Sequence, residues 1–153
     1  MFTTKERFGL GQMYLAASVE AKRRGDRRVS SEHIVLAVLA DPESIPARAL
    51  GVSLDSARAG LQELDRQALA SLGIVADFTG SVLPGDDRKP LRLAPGAKAV
   101  FTGLRKTAKG ERLGVRHVLL VLLDLAPPDP AADLLNQLGV DRDEVRRRLR
   151  VLS

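Results

Sequence analysis

The sequence predicts an all-α fold built from two related four-helix repeats, and three observations carry that expectation. Apolar residues make up 44% of the 153 positions and aromatics only 3%, so the core must come from Leu, Val, Ile and Ala, which suits helices better than aromatic-rich sheets. Those apolar residues recur at helical spacing. The recurring pattern also occurs twice, in the same order.

The first helix is predicted near 6–23, where Leu10, Met13, Tyr14, Ala17 and Ala21 share one face. A fifth helix near 96–109 repeats that face as Ala97, Val100, Phe101, Leu104 and Ala108, displaced by 87 residues (Leu10 to Ala97). Each is followed by a histidine leading an apolar run, His33 to Leu39 and His117 to Leu123, which predicts buried helices near 31–40 and 114–124. Short helices near 45–50 and 130–138 end at Leu50-Gly51-Val52 and Leu138-Gly139-Val140. Each glycine is placed for the left-handed residue after a helix. Ser53 and Asp141 then cap helices near 54–70 and 142–151, with Glu144 at capping-box spacing from Asp141. Ala57, Leu61 and Leu64 recur there as Val145, Leu149 and Leu152.

Between the repeats, Gly73 to Pro95 holds Gly80, Pro84, Gly85 and Pro90, breakers that predict a linker. The expected organisation is one domain over 1–153, with repeat one near 6–72, the linker near 73–95 and repeat two near 96–152. Two units whose apolar faces are too large to stay wet should pack on each other as a pseudo-twofold pair.

Composition narrows the function classes. The absence of cysteine removes disulfides, thiolate metal sites and cysteine nucleophiles. The longest apolar run, Val118 to Leu123, is far short of the roughly 20 residues that span a bilayer, and the N-terminus lacks a signal-peptide core. A cytoplasmic protein with no membrane contact is expected. The net charge of +5 raises a basic nucleic-acid-binding protein as the alternative reading. Yet the arginine clusters at 23–28 and 146–150 fall toward predicted helix ends, where cations meet the helix dipole and solvent, and the scarcity of aromatics removes base-stacking platforms. Nucleic acid is therefore the less favoured partner. No G-x-x-x-x-G-K-[ST] phosphate loop occurs, so no ATP chemistry is expected of the sequence, and no cofactor is implied.

His33 and His117 read as packed, hydrogen-bonded structural residues, because a repeat-equivalent position reflects shared architecture and no further metal ligands converge by spacing. Ser30 and Ser31 read as helix caps and not as nucleophiles, since a catalytic serine needs a base and an orienting acid across space.

The segment Ser30-Ser-Glu-His-Ile-Val-Leu-Ala-Val-Leu39 resembles the Gly-Thr-Glu-His-Ile-Leu-Leu-Gly-Leu segment of Clp N-terminal domains. Leu113-Gly-Val-Arg-His-Val-Leu-Leu-Val-Leu-Leu123, Pro95-Gly-Ala-Lys98 and Pro130-Ala-Ala-Asp-Leu-Leu-Asn-Gln-Leu-Gly-Val140 resemble further family signatures. The resemblance implies a non-enzymatic protein- and peptide-binding module without the ATPase engine. Such a module would act as adaptor, decoy or regulator of Clp-dependent proteolysis, with a Clp unfoldase, its substrates or its adaptors as partners. It also implies a phosphoarginine-type pocket at Glu32 and Ser31, where the carboxylate would receive the guanidinium of a phosphoarginine-marked protein. The competing account is that Glu32 simply stabilises a helix start through its dipole. Repeat two departs from the pattern: Arg116 stands at the position of Glu32, and Leu93-Ala94-Pro95 replaces the family's Phe-Thr-Pro. That second pocket is expected to be disabled. Phe2-Thr3 and Phe8 compete for the family's N-terminal Phe-Thr pair, so no phosphate-contact residue is assigned there.

Overall fold

A computed structural model describes residues 8–73 and 89–152. Among these, repeat one comprises α1 (Leu10–Arg23), α2 (Ser31–Val38), α3 (Ile45–Leu50) and α4 (Leu54–Ala70). Repeat two comprises α5 (Pro95–Thr102), α6 (Leu104–Ala108), α7 (Val115–Leu123), α8 (Pro130–Gln137) and α9 (Arg142–Leu152). The fold is all-α, and among the described residues the sole β-type pairing is an isolated parallel bridge between Val29 and Leu93.

Local chemistry explains the boundaries. The first helix starts at Leu10, later than expected, because Gly9 is extended and its N–H is taken by Gln12 Oε1 at 3.1 Å; positions 6 and 7 of the expected helix lie outside the described residues. The helix expected over 96–109 loosens at Gly103 into α5 and α6. The Thr102 hydroxyl donates back to Ala99 O at 3.0 Å there, and glycine adds nothing to hold the turn. Gly51 and Gly139 take positive φ, 75° and 68°, as helix terminators. Ser53 caps α4 through Ser56 N–H at 3.0 Å, and Asp141 accepts from Glu144 N–H at 3.2 Å. The Glu144 carboxylate does not complete a capping box; it turns instead to Arg147 and Arg148.

The two repeats pack reciprocally. Helix α2 lies against α8 as α7 lies against α3, and α4 lies against α8 as α9 lies against α3. Tyr14 and Phe101, the same position in the two copies, meet with ring centroids 6.5 Å apart. A residue can touch its own repeat mate only close to the pseudo-twofold axis, so this contact locates it. Details of the interface are paired too: a Cβ on Gly60 of α4 would come 2.9 Å from Leu138, and one on Gly51 would come 2.7 Å from Arg148 of α9. Every residue of α2 except Glu32 is buried, and Val118, Leu119, Leu122 and Leu123 of α7 are buried beside it. The two histidine-led runs are thus the centre of the core.

The segment leading into repeat two is strapped along α1 at one-turn intervals. Tyr14 Oη donates to Leu91 O at 2.5 Å, Ser18 Oγ accepts from Leu91 N–H at 2.8 Å, and Lys22 Nζ donates to Lys89 O at 2.5 Å. Val29 closes the strap with bonds of 2.8 Å to Arg92 and Ala94. Most of the expected linker, 74–88, lies outside the described residues, as do Phe2 and Thr3. No helix among the described residues is long and apolar enough to cross a membrane.

Candidate functional site

Helix α2 opens with Ser31 and Glu32, and the loop before it brings Arg24 and Asp26 alongside. Ser30 is the N-cap; its backbone N–H donates to His33 Nδ1 at 2.9 Å, so the imidazole itself caps the helix. With Nδ1 accepting, Nε2 carries the proton and lies 2.8 Å from Asp26 Oδ2. This hydrogen bond from His33, together with the neighbouring Arg24 charge, holds the Asp26 carboxyl below its usual range despite partial burial. Arg24 bridges Asp26 at 3.1 Å and Asp65 of α4 at 2.5 Å. Burial works against the Arg24 charge, but the two carboxylates outweigh it and raise the guanidinium further.

Glu32 differs from every other carboxylate in this cluster. Its side chain is only 15% exposed, its Oε1 stands 4.0 Å from His33 Nδ1, and that oxygen has no hydrogen-bond partner among the described residues. Burial pushes the carboxyl above its usual range, against the pull of His33 and Arg24. A largely dehydrated carboxylate with an unused oxygen is an acceptor for a donor-rich cation, such as a guanidinium or an ammonium.

Ser31 points elsewhere. It is fully buried, its hydroxyl donates to Asp129 Oδ1 at 2.6 Å, and it accepts the Ala131 N–H at 3.1 Å. The hydroxyl is therefore committed to joining the start of α2 to the start of α8 across the repeat interface. Glu32 is left as the available polar group of the expected pair.

Repeat two places His117 as it places His33: Gly114 N–H donates to His117 Nδ1 at 3.1 Å. Both histidines thus have the structural role expected of them. Around this shared frame the charges differ. Arg116 occupies the position of Glu32, and the loop carboxylate, Glu111, stands 3.9 Å from His117 Nε2 where Asp26 closes to 2.8 Å on His33.

Three arginines of α9, Arg146, Arg147 and Arg148, are locally neutralised. Arg146 reaches Asp124 at 2.7 Å and Asp143 at 3.0 Å, Arg147 pairs with Glu144, and Arg148 reaches Glu144 at 3.3 Å and Ala49 O at 3.1 Å. This does not favour a phosphate-tracking surface.

No family model matches the sequence, and no curated protein matches it. Among solved structures, the chain is similar to the N-terminal domain of the caseinolytic protease associated chaperone ClpD from Arabidopsis thaliana, with a TM-score of 0.68 at 17% sequence identity. The likeness covers 99% of this chain and 96% of that one. The chain has the fold of a Clp N-terminal domain.

In this Clp N-terminal fold the two histidine-led helices sit at equivalent places, and their polar neighbours carry the differences. Sequence reasoning missed Arg24, Asp26 and Asp65 around Glu32, and Asp129 opposite Ser31. A signal existed for one of them: an acidic residue precedes each histidine by a few positions, Asp26 before His33 and Glu111 before His117. Asp65 and Asp129 reach the cluster only through tertiary packing, so nothing in local spacing pointed to them.

Proposed function

We propose that this protein is a non-enzymatic docking module of the Clp type, binding proteins or peptides as an adaptor, decoy or regulator of Clp-dependent proteolysis in the cytoplasm. The observation that carries the reading is the likeness to the ClpD N-terminal domain over nearly the whole of both chains. The dehydrated Glu32 carboxylate supports a finer part of it, that the module takes a cationic side chain of its partner, phosphoarginine among them. Its Oε1 is unbonded and buried, and the groups beside it, Arg24, Asp26 and His33, are already paired with one another.

The test is capture from native cytoplasm by the tagged full chain, with bound proteins identified by mass spectrometry. Enrichment of an unfoldase ring, or of the proteins such a ring degrades, is the expected result. Titration with a phosphoarginine peptide, with the unphosphorylated arginine peptide as control, addresses the finer part. Specific retention of nucleic acid with no Clp component would overturn the docking reading in favour of the basic alternative.

A further inference from the structure

We propose that the N-terminus of α7 is an oxyanion-binding site, in which the Arg116 guanidinium and the His117 Nε2–H receive a carboxylate or phosphate group. Because Gly114 N–H donates to His117 Nδ1, the ring proton sits on Nε2. That Nε2–H is buried, with the side chain only 5% exposed, and it has no hydrogen-bond partner among the described residues. Arg116 Nε is likewise buried and unbonded. A buried donor left unbonded costs free energy, so both are primed for an acceptor.

The two residues aim at one place. Arg116 Nη1 lies 3.7 Å and His117 Nε2 3.9 Å from the same atom, Glu111 Oε2, and both distances are too long for a hydrogen bond. Glu111 marks where an anionic oxygen belongs without satisfying the donors. It is a surface arm, 66% exposed, on the turn formed by Lys109 and Gly110 with positive φ. An incoming oxyanion can displace it at little cost. The first turn of α7 contains no acidic residue, so the helix dipole adds to the attraction uncompensated. In repeat one the equivalent histidine is closed by Asp26 at 2.8 Å and the neighbouring position is the anionic Glu32. The duplicated frame therefore offers an anion acceptor in one copy and cationic donors in the other.

The test is a titration of the full, nitrogen-15-labelled chain near neutral pH with sodium phosphate and, separately, sodium acetate, each matched in ionic strength with sodium chloride. Histidine ring correlations in the NMR spectrum give the readout. The expected result is a saturable shift of the His117 ring with the His33 ring unmoved. Arg116→Gln should weaken binding about tenfold, and Glu111→Gln, which removes a competing surface carboxylate, should tighten it about threefold. A stronger response to phosphate assigns a phosphoryl ligand, and one to acetate assigns a carboxylate. No shift beyond the chloride control, equal shifts of both histidines, or weaker binding by Glu111→Gln would each overturn the proposal.

Discussion

Replacing Glu32 by glutamine should raise stability and lower affinity for a guanidinium ligand, and the opposed signs separate a binding carboxylate from a helix-start carboxylate. Gln keeps the shape and removes the charge. Holding an ionised carboxylate largely out of water costs more than holding a neutral amide of the same shape, which also lacks a partner there, and for a side chain still 15% exposed the difference is about 1 kcal/mol. Against this, a carboxylate in the first helical turn gains about 0.3–1 kcal/mol from the dipole. The net expected gain for Glu32→Gln is about 0–0.7 kcal/mol near neutral pH, at most roughly 2–3 °C in melting temperature for a chain of this size. Its pH dependence follows from the direction of the shift: the folded carboxyl is raised above its ordinary value of 4.5. A raised acid contributes stability that is complete below the unfolded pKa and lost as pH rises through the folded one. Wild type and variant should therefore melt together in acid, the variant pulling ahead as pH rises from the ordinary value of 4.5 to the raised one and holding its lead above it. Binding should move the other way, by about 1.5–3 kcal/mol for a charge-assisted bond, or one to two orders of magnitude in affinity for a phosphoarginine peptide. Melting curves across pH and calorimetric titration give both numbers. If Glu32→Gln lowers the melting temperature and leaves affinity unchanged, Glu32 is a helix-start carboxylate and the partner surface lies elsewhere.

The remaining predictions concern packing between and within the repeats. Fragments ending at Gly73 and beginning at Lys89 should each show weak, non-cooperative melting by circular dichroism and recover a sharp transition when mixed, because each half covers the other's core; two cooperative transitions from the isolated fragments would refute this. Gly60→Val should destabilise by about 1–3 kcal/mol in chemical denaturation, since its Cβ would already crowd Leu138 at 2.9 Å. Glu20 is buried on α1 and receives both Arg58 Nε and Nη2 at 2.7 Å, a bidentate pair that raises the Arg58 pKa. A double-mutant cycle over Glu20→Gln and Arg58→Ala should show coupling of about 1–2 kcal/mol, reduced from a fully buried pair because Arg58 is 30% exposed.

The repeat and most helix boundaries were legible because periodic apolar faces, glycine terminators and serine caps are local codes. His33 to Leu39 could be read as a buried helix from its run alone, and Tyr14 with Phe101 could be matched as repeat mates. That these two touch was not legible, since displacement along the chain says nothing about distance from the axis. The polar site was read less completely for the same reason. Glu32 stood out by position, but its lack of a partner depends on Arg24 being drawn to Asp65, which is far away in sequence. Ser31 was misplaced most clearly: its spacing fits a cap or a pocket at α2, whereas packing gives its hydroxyl to α8.

The way the copies differ carries its own argument about function. Where a position holds up the architecture, the repeats agree: both histidines accept the N–H of the cap residue ahead of them, and both glycines end the short helix that follows the histidine-led one. Where the side chain is the second residue of each histidine-led helix, the copies oppose each other, Glu32 against Arg116. Helix stability does not require that reversal, because the dipole at both N-termini favours the acid and disfavours the arginine. Arg116 sits at the unfavourable end of α7, partly buried, with only a loose contact to Glu111 at 3.7 Å. A cation held there against the dipole is compensated fully only when an anion arrives, which is the physical reason for seeking ligands of opposite charge at the two ends of one pseudo-symmetric frame.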